Sequence, residues 1–96
     1  MAKITGKFKD GKVFIGDKPL SAKESLAIVN HSPTGFSWGY SGSGPSQLAL
    51  ALLLKYTDKK TACKWYQEFK FDKIATLPRD DFEFDSQEIV DWLATK

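Results

Sequence analysis

Ser43-Gly44-Pro45-Ser46-Gln47-Leu48-Ala49-Leu50-Ala51-Leu52-Leu53-Leu54-Lys55-Tyr56 is the stretch that decides how this chain folds. Pro45 suits the first position of a helix, where its missing N–H is no loss, and Ser43 or Gly44 then serves as N-cap. After Gln47 the sequence is apolar nearly all round as far as Tyr56, which predicts a helix buried on most of its faces. The apolar run Leu48–Leu54 is seven residues long. A bilayer span needs about 20, so this helix belongs in a protein core and no membrane is expected.

Such a helix has to be wrapped by other elements. Upstream, Ile4–Lys9 and Lys12–Gly16 flank Asp10-Gly11, a pair suited to a two-residue hairpin turn. Phe8, Val13 and Ile15 supply the buried face of that hairpin. Asp17-Lys18-Pro19 reads as a turn, and Ser21-Ala22-Lys23-Glu24 has capping-box spacing for one helical turn. Leu26–Val29 is expected to be a short strand. Downstream, Asp58 caps an amphipathic helix with Ala62, Trp65, Tyr66 and Phe69 on its apolar side. Ile74 and Leu77 prolong that stripe until Pro78. Phe82-Glu83-Phe84 reads as a strand. Asp85 with Glu88 repeats the capping-box pattern ahead of a last helix docked by Ile89, Trp92 and Leu93. The expected fold is a small single α+β domain over residues 1–96. A short antiparallel sheet, the N-terminal hairpin plus one or two short strands, packs on a buried central helix and two flanking helices.

Charge narrows the search for a site. The 96 residues carry 14 basic and 12 acidic side chains, a net +2, yet Ser25–Leu54 holds none of them. Six lysines against three acids give +3 over residues 1–24, and the same numbers give +3 over 55–78. Two bases against six acids leave −4 over 79–96. No block has the basic density of a dedicated nucleic-acid binder, so duplex DNA is not an expected partner. The single cysteine, Cys63, excludes an internal disulfide. Together with a start lacking an apolar leader, it points to the cytoplasm.

The uncharged window contains the constellation with chemical potential. A Gly/Ser-rich loop running into a helix start presents unpaired N–H groups and the positive end of the helix dipole. Those groups suit phosphate, sulfate or carboxylate, with Ser41, Gly42, Ser43, Gly44 and Ser46 at the loop and Gln47 one turn in. The spacing is neither a P-loop nor a dinucleotide fingerprint, since no lysine follows Gly44 until Lys55. Equally, the glycines satisfy tight backbone geometry beside a buried helix. Phe36, Trp38 and Tyr40 alternate, so an extended backbone puts all three rings on one face as anchors for a protein partner. Base stacking and simple core packing are the competing readings of that trio. His31, the only histidine, is a further ligand-binding candidate. As a general base toward Ser32, Ser41 or Ser43 it lacks a nearby carboxylate, so a His31/serine hydrolase is the least favoured reading, and no metal site or cofactor is expected. Asp80, Asp81, Glu83 and Asp85 read as a weak cation site or a solvated acidic rim.

Residues 30–53, NHSPTGFSWGYSGSGPSQLALALL, resemble a family of small proteins known as domain-of-unknown-function family 6166. Tyr66-Gln67-Glu68-Phe69-Lys70 and Ile89-Val90-Asp91-Trp92 are similar to its later segments. The resemblance carries no catalytic roles. It implies a small cytoplasmic accessory protein of bacteria, archaea or their mobile elements, of the kind that acts by binding. Two readings stand: a module for a small anionic or nucleotide-like ligand at Gly42–Gln47, or a protein-interaction factor using Phe36, Trp38 and Tyr40.

Overall fold

Strands β1 (Lys3–Lys7) and β2 (Lys12–Ile15) pair antiparallel in the computed structural model, which describes residues 2–33 and 35–96. Their connection is four residues, not the expected two, because Lys7 pairs with Lys12. A two-residue turn of the expected type needs positive φ at both central residues. Only Gly11 supplies it, at φ +69°, and its N–H closes on the Lys7 carbonyl at 2.9 Å. Phe8 therefore falls in the turn and stays partly exposed, with its ring edge against Trp38.

Two-residue β3 (Lys18–Pro19) and β4 (Phe82–Asp85) complete an antiparallel sheet of order β3-β2-β1-β4. Register puts Ile4, Gly6, Val13, Ile15, Phe82 and Phe84 on one face. That face and the central helix α2 (Ser43–Tyr56) share one apolar core. On the other face Lys3 meets Glu83 at 3.3 Å and Lys7 meets Asp81 at 3.7 Å. The acidic run 80–85 is thus partly neutralised by β1. Such exposed pairs contribute little to stability but fix no cation either.

Helix α1 (Lys23–Ile28) replaces the strand expected at Leu26–Val29. The chain turns helical where Ser21 Oγ accepts from Lys23 N at 3.1 Å, and Leu26 N reaches the Ala22 carbonyl at 2.8 Å. Helical spacing brings Ser25 inward, where it is fully buried against α2. Tertiary packing overrides the β-branched character of Ile28, while Val29, the C-cap, is extended. In α2 every residue from Gly44 to Leu53 is buried, as an all-round apolar helix requires. Gly42 is its N-cap, one residue earlier than expected, and Pro45 occupies the third helical position. No hydrogen bond is lost there, because the first i−4 bond runs from Ser46 N to Gly42 O at 3.0 Å.

Helix α3 (Lys59–Phe69) returns antiparallel to α2 after only Thr57-Asp58. It passes into a π-helical turn over Lys70–Ile74, where Ala75 N bonds to Lys70 O at 2.8 Å. Helix α4 (Gln87–Ala94) docks Ile89 into the core. The second capping box does not form. Asp85 Oδ1 instead accepts from Gln87 N at 2.8 Å, and Glu88 pairs with Lys73. Among the described residues no helix is long and apolar enough to cross a membrane.

The Asp58 cap does form, accepting from Thr61 N at 2.7 Å. The Thr61 N–H, and after it the Thr61 hydroxyl, hold the carboxyl below its ordinary value. A depressed carboxyl stabilises the fold above its unfolded pKa and loses that contribution as pH falls through the folded one. Asp58→Ala is therefore expected to lower the melting temperature at pH 6, with the gap to wild type narrowing below about pH 4. Melting curves of both proteins across pH 2–7 measure it, and a gap that does not narrow contradicts the assignment.

Candidate functional site

Gln47 organises the ground on which the site stands. It is fully buried, and its amide is saturated by residues on three segments. Oε1 accepts from His31 N at 2.8 Å and from Ser32 N at 3.1 Å. Nε2 donates to Ser25 Oγ at 2.8 Å and to Val29 O at 3.1 Å. Gln47 thus stitches the end of α1 and the start of the following loop to α2. It is not free to read a ligand.

His31 is likewise held. Its Nε2 lies 2.7 Å from the Tyr66 hydroxyl, and no hydrogen bond among the described residues joins it to a serine or a carboxylate. The arrangement needed for nucleophilic catalysis is not assembled at His31.

The aromatic trio separates because residues 35–42 are not a strand. Trp38 is fully buried, edge-on to Phe82 at 4.7 Å, with its indole N–H donated to the Asp80 carbonyl at 2.8 Å. Phe36 turns toward the hairpin and lines a groove of about 500 Å³ with Val13, Phe14 and Leu20. Tyr40 lies at the surface, its hydroxyl 2.8 Å from Ser37 Oγ, with the Arg79 guanidinium 5.3 Å from its ring centre. The expectation of three rings on one face is corrected. They point to three places.

Anchored by Gln47 at one end and Trp38 in the middle, the loop wraps the first turn of α2. Gly44 is buried, and a Cβ there would lie 1.8 Å from Ser37 Oγ and 3.1 Å from Ser37 N. Only glycine lets the loop approach so closely. Ser41 and Ser43 remain exposed, Gly42 is half-buried beside the Tyr40 ring, and Ser46 is buried. No side chain caps α2. Among the described residues, neither the Ser43 nor the Gly44 N–H has an acceptor. The positive end of a fourteen-residue helix therefore lacks a negative partner.

The second half of the site comes from α3. Ser46 Oγ donates to Gln67 Oε1 at 3.3 Å, which fixes the register of the antiparallel pair. One helical turn toward the α2 N-terminus is Ser43, and one turn onward in α3 is Lys70. The turn that carries Lys70 packs on α2. It is only 7% exposed, and its ammonium has no hydrogen-bond or ion-pair partner among the described residues. Nearby acids are engaged elsewhere: Glu68 with Lys96 at 3.2 Å, and Asp72 with the Trp92 indole at 3.0 Å. The Phe71 ring centre lies 4.0 Å from the Lys70 ammonium. Lys70 thus buries its stem while its ammonium reaches the surface over the exposed Phe71 ring, with no ion-pair partner among the described residues.

The loop residues were legible in the sequence as a candidate; Lys70, Gln67 and Phe71 were not singled out. The signal for Lys70 was present, because it stands four residues after Tyr66 on the apolar stripe of α3. A lysine at a core position is uncommon.

The model of a family of unknown function, DUF6166, matches residues 4–95. The chain belongs to that family. The match covers the loop, the start of α2, Lys70 and all four α-helices described for this DUF6166 member. No curated protein and no solved structure matches the chain.

Replacing Gln47 tests how far the site depends on its scaffold. Gln47→Met keeps the volume but leaves two N–H groups and a carbonyl unpaired, while the Ser25 hydroxyl keeps its bond to the Ala22 carbonyl. The expected loss is at least about 3 kcal/mol in urea unfolding, with faster amide exchange at His31 and Ser32. An unchanged midpoint contradicts the role.

Proposed function

We propose that this protein is a binding module for a small anionic ligand, held at the start of α2. The observation that supports the reading is the uncapped N-terminus of α2, with Lys70, whose ammonium has no ion-pair partner among the described residues, on the turn that packs on α2. The anion accepts from the Ser43 and Gly44 N–H groups, and Lys70 supplies the balancing charge. The exposed Ser41 and Ser43 hydroxyls offer further donors at the rim. Phosphate fits such a donor set, since its oxygens accept from several directions at once. Ser46 and Gln47 support the cradle from behind rather than touching the ligand.

The protein-partner reading is less well supported, because its central anchor, Trp38, is enclosed in the core. In our reading the module works in the cytoplasm, where a single unpaired thiol, Cys63, is unremarkable. A small accessory factor carried by a mobile element fits that setting.

Inorganic phosphate, titrated at constant ionic strength, is expected to raise the melting temperature of the wild type by several degrees at saturation. Lys70→Met keeps the buried stem and removes the charge, so the variant folds and its melting temperature no longer responds. Equal responses in both proteins, or no response in the wild type, overturn the proposal.

A further inference from the structure

We infer that the outer edge of β4 is a docking site for an extended peptide segment whose residues alternate basic and apolar, added as a fifth strand. This surface is separate from the anion site and does not depend on it. β4 ends the sheet, whose order is β3-β2-β1-β4. Ser86 N bonds to Ala2 O at 2.8 Å, and Phe84 and Phe82 stand opposite Ile4 and Gly6. Main-chain groups alternate sides along an antiparallel strand, so Phe82 and Phe84 bond to β1 while Glu83 and Asp85 aim their N–H and C=O groups outward. Among the described residues, none of those outward groups has a hydrogen-bond partner. The opposite edge is closed to such pairing, because β3 is two residues long and Pro19 has no N–H to offer.

Charge decides what can add there. The Glu83 and Asp85 side chains are exposed on the open face of the sheet, and Asp85 has no ion pair among the described residues. A second copy of β4 is repelled, since antiparallel pairing of two such edges sets carboxylate against carboxylate. A basic strand is attracted. β1 shows what β4 accepts: Lys3 meets Glu83 and Lys7 meets Asp81 on the open face, while Ile4 lies with Phe84 on the core face. A segment with the same alternation repeats those contacts on the outer side. Main-chain bonds at Glu83 and Asp85 supply affinity, and basic side chains opposite the carboxylates supply selection. Its core-side residues are apolar rather than basic, because Lys73 already lies 4.4 Å from the Phe84 ring centre and pairs with Glu88.

Amide exchange of the isotope-labelled full chain, followed by NMR with millimolar peptide, tests the inference. The probe is the end-blocked peptide KITGKFK, the sequence of residues 3–9, and the control has the same composition with its three lysines consecutive. The probe is expected to slow exchange at Glu83 and Asp85 at least about fivefold, and the control less than about twofold. Glu83→Pro removes an outward N–H and one carboxylate while the bonds to β1 stay, so Asp85 is expected to lose its response to the probe. No slowing at Glu83 and Asp85 overturns the docking site. Equal slowing by probe and control reduces the contact to general charge attraction and overturns strand addition. A full response surviving in Glu83→Pro overturns the role of the main chain. If that variant does not fold, the comparison of the two peptides on the wild type still decides.

Discussion

The amide of Gln47 is the interaction on which the rest of the arrangement depends. One buried side chain satisfies two N–H groups of the departing loop, a carbonyl at the end of α1 and the Ser25 hydroxyl. A buried amide left unpaired costs about 1–3 kcal/mol for each orphaned group, a large share of a small domain's stability. The chain therefore has little freedom in where it leaves α1. Trp38 fixes the second point, packed edge-on to Phe82 beneath the sheet. Between these anchors the loop has one course, over the first turn of α2.

That course explains the distribution of charge. A loop packed on a buried helix start cannot carry solvated side chains inward, and the uncharged stretch Ser25–Leu54 follows. The exception comes from another segment. Lys70 enters from α3 at the point where the chain passes into the π-helical turn. Inserted turns of this kind re-aim side chains and recur at functional sites. The acids of the same region are turned outward to Lys96 and Trp92. In the proposed site, helix dipole and ammonium act with the same sign. Alone, the dipole offers an anion about 0.3–1 kcal/mol; a partly buried, charge-assisted arrangement roughly doubles it.

Much of the fold was legible because periodicity carried it. The apolar run Leu48–Leu53 demanded a wrapped helix, and Asp58 capped α3 as its spacing implied. The α+β architecture followed. What failed were readings that depend on distant partners. Leu26–Val29 looked extended by residue type, yet Ser25 needed a helix to reach Gln47. Asp10-Gly11 looked like a tight turn, yet pairing of Lys7 with Lys12 lengthened it. The site was half legible for the same reason. The Gly/Ser loop announced itself, while Gln47 and His31 proved to be braces and Lys70 required the α2–α3 register.

The proposed anion site lies between the first turn of α2 and Lys70. A nitrogen-15 NMR titration with inorganic phosphate tests it most directly, since every amide reports separately. Saturable shifts concentrated at Ser43, Gly44 and Lys70 are expected. Shifts spread without saturation over the exposed lysines of the sheet and α3, with Ser43 and Gly44 unmoved, contradict it.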